Sequence, residues 1–128
     1  NINGKRLIGA SGNYTYSKPI PAAVTNLKVN KLGALTEKIR IKLTWDSAGD
    51  EADGYVIYRR GPGDNKMKYY RMVSDTIFID SSIKGLSTYN YRVYAYKKIN
   101  GKIVLGLPSR YIQVDVFISY IDGKVIYS

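Results

Sequence analysis

The sequence predicts an all-β sandwich of seven short strands in two antiparallel sheets. Three observations carry that prediction. Apolar and polar residues alternate with a period of two along several segments, turn-forming dipeptides separate those segments, and none sustains the i, i+3, i+4 apolar stripe of an amphipathic helix. Leu27–Val29 is a short opening run. In Ile39–Asp46 one face holds Ile39, Ile41, Leu43 and Trp45, and the other Arg40, Lys42 and Thr44. Shorter runs follow at Tyr55–Arg60, Met67–Val73 and Ile77–Asp80. In Tyr89–Tyr96, Tyr89, Tyr91, Val93 and Ala95 oppose Asn90, Arg92, Tyr94 and Tyr96, and in Tyr111–Val116, Ile112, Val114 and Val116 oppose Tyr111, Gln113 and Asp115.

The turns agree with the strands. Asn100-Gly101 and Asp122-Gly123 suit type I′ hairpins, whose two central residues both need positive φ. Gly61-Pro62-Gly63-Asp64-Asn65 is a loop by composition. Pro19-Ile20-Pro21 is extended and stiff, the chemistry of an inter-module boundary.

Composition narrows the function classes. The chain has 128 residues, a formal charge of +10 and a pI near 9.7, which is one domain's length and enough for a single core. Histidine and cysteine are both absent, which excludes disulfides, thiolate nucleophiles, Ser-His-Asp chemistry and nearly all zinc, haem and iron–sulfur sites. Apolar runs stop at four residues, far short of the ~20 of a membrane helix, so no membrane insertion is expected. The chain opens on Asn1 without a signal-peptide apolar region and reads as a piece of something longer. Lack of cysteine suits a reducing cytosol and equally a secreted chain stabilised by packing, which leaves the compartment open.

One internal similarity stands out. Ile2-Asn3-Gly4-Lys5, followed by Leu7, Ile8 and Gly9, parallels Ile99-Asn100-Gly101-Lys102, followed by Val104, Leu105 and Gly106, at an offset of 97 residues that also sets Tyr14 on Tyr111. That is about one sandwich domain, so residues 1–17 read as the last hairpin of a preceding similar module or as an extra strand. Ile121-Asp122-Gly123-Lys124 shows that the hairpin pattern also recurs without a repeat. Residues 117–128 form a C-terminal hairpin or the start of a next module.

With the strands in place, residues 18–116 resemble a fibronectin type III domain of the kind found in bacterial surface and secreted proteins. Val24-Thr25-Asn26-Leu27-Lys28-Val29 after Pro21 is similar to strand A, Leu43-Thr44-Trp45 to strand B with its core tryptophan, and Ala52-Asp53-Gly54-Tyr55-Val56-Ile57-Tyr58-Arg59 to the turn into strand C. Phe78-Ile79-Asp80 resembles strand E, and Leu86-Ser87-Thr88-Tyr89-Asn90-Tyr91-Arg92-Val93-Tyr94-Ala95 the E–F corner and strand F, while Gly106 and Ser109 match the approach to strand G. The resemblance implies an immunoglobulin-like sandwich with Trp45, Tyr55, Leu86, Tyr89 and Tyr91 in its core. Tyr89 is then the corner tyrosine, its hydroxyl bonded to backbone across the turn.

Little in the chain points to catalysis. Asp46, Asp50, Glu51 and Asp53 crowd the B–C loop, but their spacing departs from the EF-hand loop, and a solvated loop turning at Asp53-Gly54 is the plainer account. Ser11, Ser74 and Ser109 have no histidine to activate them. Arg60-Gly61-Pro62-Gly63-Asp64 interrupts Arg-Gly-Asp. No catalytic residue, cofactor or metal ligand is assigned. The candidate ligand surface is the outward face of Tyr58, Arg60, Arg92, Tyr94 and Tyr96, joined either by Lys66, Lys68 and Tyr70 or by Met67, Tyr69 and Arg71. Such a face can stack sugars and pair anions, or simply stabilise the sheet through cross-strand pairs. Loop charge is also polar: the B–C loop is acidic, while Lys31, Lys38, Arg59, Arg60, Lys66 and Lys84 fall to the opposite pole.

The resemblance implies a non-catalytic module, in tandem with others, spacing or presenting domains of a larger extracellular bacterial protein of the cell-adhesion kind. Its partners are then the neighbouring modules. The alternatives are a binding module for an anionic polysaccharide, host glycan or protein ligand through the Tyr/Arg face, and an accessory module of a carbohydrate-active enzyme. No motif supports a nucleic-acid partner.

Overall fold

A computed structural model describes residues 20–36 and 38–128 of the chain, so the segment 1–17 and its proposed repeat lie outside the described residues. Ten strands and no helix occur among them. They are β1 (Lys28–Leu32), β2 (Arg40–Thr44), β3 (Gly54–Arg60), β4 (Lys68–Val73), β5 (Ile77–Asp80), β6 (Ser87–Ile99), β7 (Lys102–Pro108), β8 (Ile112–Val116), β9 (Ile118–Ile121) and β10 (Lys124–Tyr127).

Two antiparallel sheets face each other. One has the order β1-β2-β5, and the other the order β4-β3-β6, with β7 and β8 sharing the far edge of the 13-residue β6. β7 pairs with its C-terminal part and β8 with residues 87–91, so β7 and β8 are one strand broken in two. Counted that way, the sandwich has the seven strands expected. At the break, Ser109 takes over the ladder. Its N–H donates to the Val93 carbonyl at 2.8 Å, its Oγ accepts from the Val93 N–H at 2.9 Å, and its hydroxyl donates to the Arg110 carbonyl at 2.9 Å. This is why Ser109 is buried: it stands in for a missing backbone acceptor.

The core lies between the sheets and follows strand parity. Ile41 and Leu43 of β2 meet Tyr55 and Ile57 of β3, Tyr89, Tyr91, Val93 and Ala95 of β6, and Val114 and Val116 of β8. Trp45 sits edge-on to Tyr55, with ring centroids 5.5 Å apart. The Tyr55 hydroxyl accepts from the Ala48 N–H at 2.9 Å and so pins the B–C loop as well as filling the core. Pro21, placed at the opening strand by the resemblance, is fully buried, and its backbone crosses Gly106 so closely that a Cβ there would overlap the Pro21 carbonyl.

The E–F corner is built by Tyr89, whose hydroxyl accepts from the Lys84 N–H at 2.7 Å while its ring stays 1% exposed. Leu86, expected in the core, is not there. It adopts φ +52° to make the corner, and that left-handed turn swings its side chain out to 74% exposure.

The C-terminal segment is a hairpin, β9–β10, turning at Asp122-Gly123 with φ of 51° and 77°. It docks on the A–B loop through backbone bonds, Leu35 N–H to Tyr127 O at 2.6 Å and Tyr127 N–H to Thr36 O at 2.9 Å. Ile118 and Tyr127 occupy the space a Cβ would need at Gly85, so the hairpin covers the pole at which β2 begins and β5 ends.

Tyr89→Phe keeps the ring but strands the Lys84 N–H. Urea unfolding is expected to show a loss of about 1–3 kcal/mol with an unchanged m-value.

Candidate functional site

The sequence-predicted surface is assembled by sheet register. β3 and β6 pair Gly54 with Tyr96, Val56 with Tyr94, Tyr58 with Arg92 and Arg60 with Asn90. Tyr58, Arg60, Arg92, Tyr94 and Tyr96 therefore share the face opposite the core. A bulge at Ile57/Tyr58 in the β3–β4 pairing sets Tyr58 against Tyr69. Parity then breaks within β4. Tyr69 joins the outer face, Tyr70 turns inward, and Arg71 stacks on the Tyr70 ring at 4.2 Å. Neither of the two alternating sets expected for this segment holds throughout.

Most of this face is occupied by contacts within it. Tyr58 lies between Tyr94, at 5.1 Å between centroids, and Tyr69, at 6.5 Å. The Tyr96 ring covers Gly54, where a Cβ would strike it. The Arg92 guanidinium lies 3.7 Å over the Tyr111 ring. The Arg60 side chain is exposed and makes no ion pair or hydrogen bond with any described residue. Beside it the surface dips into a concavity of ≈ 390 Å³ lined by Arg60, Met67, Asn90, Tyr111 and Gln113. Of these, Arg60 belongs to the candidate surface read from the sequence and Met67 to one of the two sets offered to join it. Asn90, Tyr111 and Gln113 have the right parity, but their convergence depends on β8 pairing with β6, which periodicity does not reveal.

A second polar cluster lies inside the sandwich. Asp80 of β5 is 1% exposed, and four donors from the opposite sheet and the loop after β5 point at it. Arg59 reaches Oδ2 at 2.8 Å, the Tyr91 hydroxyl Oδ2 at 2.6 Å, the Tyr70 hydroxyl Oδ1 at 2.8 Å and the Ser82 N–H Oδ1 at 3.1 Å. Arg59 thus belongs to the interior, not to the cationic pole where its loop position had suggested it. Its guanidinium also covers the Tyr70 ring at 4.0 Å. Burial alone would lower the Arg59 pKa, but the bond and charge of Asp80 outweigh it and hold it above its ordinary value. Burial, then the Asp80 carboxylate, push the Tyr91 and Tyr70 phenols up.

The B–C loop carboxylates are spread among separate contacts. Asp46 accepts from the Asn26 amide at 2.6 Å, Asp53 from the Lys98 N–H at 2.7 Å, and Glu51 lies 3.9 Å from Lys97. Among the described residues no group of three or more acidic side chains is placed to hold a metal ion. Asp64 accepts from Gly61 N–H at 3.0 Å and pairs with Lys68 at 3.1 Å, which together hold it below the usual carboxylate range.

Two facing antiparallel sheets, a buried tryptophan just past β2 and a tyrosine corner opening β6 define an immunoglobulin-like sandwich. No protein-family model matches the chain, and no curated protein does. Solved structures match in fold. A myokine structure aligns over 74% of this chain and 96% of its own, with a TM-score of 0.56 at 19% identity. An Fn3-like protein from Clostridium thermocellum aligns over 70% of this chain and 88% of its own, with a TM-score of 0.50 at 22% identity. The twitchin kinase region from C. elegans aligns over 84% of this chain and 20% of its own, with a TM-score of 0.60 at 14% identity. The chain has the fibronectin type III fold, and at these identities the likeness is one of fold.

Two predictions concern Asp80. Asp80→Asn leaves Arg59 inside the sandwich without its counter-charge and is expected to cost about 3–5 kcal/mol in chemical unfolding. Because the Tyr70 and Tyr91 pKa values are raised on folding, the stability they carry is intact below the unfolded phenol value of ~10 and falls as pH rises past it. Ultraviolet titration is expected to show Tyr70 and Tyr91 ionising above the usual tyrosine range, and Asp80→Asn is expected to reduce that elevation.

Proposed function

We propose that this chain is a non-catalytic module that spaces or presents neighbouring domains of a longer extracellular bacterial polypeptide. The observation that supports this best is how the A–B pole is closed. The hairpin β9–β10 is bonded through its backbone to Leu35 and Thr36, and Phe117 and Ser128 exchange a further pair of backbone bonds at 2.7 and 3.0 Å. A spacer keeps its neighbours apart only if the joints resist bending, and backbone pairing at a pole is stiffer than a free polar linker. The non-catalytic half of the reading rests on chemistry. Ser109 is engaged in the ladder, Asp80 is saturated with donors, and the chain has no histidine or cysteine to serve as base or nucleophile. The extracellular setting rests on the resemblance to bacterial surface modules.

The test is small-angle scattering from a tandem of two copies. The expected outcome is an elongated particle with a maximum dimension near twice that of one copy, and a looser distribution of angles when Asp50 and Glu51 at the acidic pole become Lys. A compact pair, or two copies swivelling freely before any substitution, overturns the spacing role.

A further inference from the structure

The concavity on the outer face combines groups whose chemistry converges on one ligand class. Arg60, Asn90 and Gln113 stand side by side across β3, β6 and β8, because Asn90 is the register partner of both Arg60 and Gln113. Tyr111 stands beside them, 55% exposed, with the Arg92 guanidinium laid on one side of its ring. The ring is therefore oriented before any ligand arrives, which lowers the ordering cost of binding. Met67 supplies an adaptable apolar contact.

The charge balance is one-sided. Neither Arg60 nor Arg92 is paired with a carboxylate among the described residues. Asp115, two positions beyond Gln113, is held by the Thr88 hydroxyl at 2.9 Å and by the Gln113 amide at 3.4 Å. The Asn90 side chain is half-buried and bonds to no described residue. One guanidinium, two carboxamides and an aromatic ring thus line a dip large enough for a small ligand, with the Arg92 guanidinium stacked on that ring.

We propose that this concavity binds the carboxylate-bearing sugar residue of an acidic polysaccharide. The Arg60 guanidinium takes the carboxylate, because its planar fork matches two oxygens at once. The carboxamides of Asn90 and Gln113 each offer donors and an acceptor, the combination that neighbouring ring hydroxyls require. Tyr111 receives the apolar face of the pyranose, and Arg92 acts as a positioning residue by fixing that ring. A phosphate or a bare cluster of negative charge would use the arginine but leave the aromatic face and the two amides idle. The site stands apart from the spacing role, whose scattering test does not involve it.

The test is a titration of the ¹⁵N-labelled full chain with tetragalacturonate, and with its neutral methyl ester, at about 150 mM salt, where diffuse attraction to a +10 protein is largely screened. The expected result is saturable shifts centred on Arg60, Asn90, Tyr111 and Gln113, including the side-chain amides of Asn90 and Gln113, with the ester bound at least about tenfold more weakly. Arg60→Gln and Tyr111→Ala are each expected to lose about tenfold in affinity, while Tyr120→Ala, on the distant hairpin, loses none. Arg92→Lys keeps the charge but not the planar stack. It is expected to weaken binding and to broaden the Tyr111 ring signals in the free protein. Arg60 and Tyr111 are solvent-exposed, so unchanged melting curves separate a lost site from a lost fold. Absence of saturable shifts, equal binding of the ester, shifts scattered over the lysines, or equal binding of an oligoglutamate at the same signals would each overturn the proposal.

Discussion

A single buried carboxylate joins the two sheets of this sandwich. Asp80 comes from the three-stranded sheet, while Arg59, Tyr70 and Tyr91 come from three adjacent strands of the other. Elsewhere the sheets meet through apolar contact, which is strong but indifferent to small slides. Hydrogen bonds to both oxygens of one carboxylate are directional, so they fix how the sheets sit over each other. A charge at 1% exposure is tolerable only because each oxygen is supplied with donors and a cation closes the network. With no cysteine to form a disulfide, this network and the tyrosine hydroxyls at Ala48 and Lys84 do the cross-linking.

The same logic explains why much of the fold is legible in the sequence and why some of it is not. β2, β6 and β8 are half-buried, so their alternation is clean and their parity is correct. β7 carries Ile103-Val104-Leu105 in a row at a sheet edge, where burial no longer alternates, and so its strand is not visible as a period. Leu86 misleads because an apolar residue beside a corner looks like core, and only the backbone conformation shows that it points outward. The interior pair was within reach. Arg59 shares parity with Tyr55 and Ile57, and Asp80 with Phe78, so opposite charges on two inward faces were already signalled by alternation. What alternation lacks is distance, and nothing in either strand alone says that the two faces meet at 2.8 Å.

The outer face follows a different rule. Tyr58, Tyr69 and Tyr94 are packed on one another, and Tyr96 on the backbone of Gly54. A tyrosine in such a ladder covers the sheet and keeps its hydroxyl toward water, which accounts for an aromatic-rich surface without a ligand. Composition therefore overstates how much of this face is available. Its available part lies toward the β8 side, where the residues are fewer and of more varied chemistry.

That concavity depends on the second of two register steps between β7 and β8, the first lying between Tyr94 and Tyr96 and the second past Pro108. If β8 kept the register in which Pro108 faces Tyr94, Tyr111 would stand opposite Tyr91 and point into the core, and Ile112 would stand opposite Asn90 and face water. The irregularity at Ser109 and Arg110 advances the strand by one position. Because side chains alternate at every residue, that step exchanges the two faces of β8 completely. Ile112 goes to the core, while Tyr111 and Gln113 come out beside Arg92 and Asn90. Ser109 makes the step affordable by supplying, from its side chain, the acceptor that the displaced backbone no longer offers to Val93. A buried serine that looks like a nucleophile without a partner thus supports the arrangement in which Tyr111 and Gln113 stand beside Arg92 and Asn90. Removing its hydroxyl would act on the surface concavity through register, from a position that never touches it.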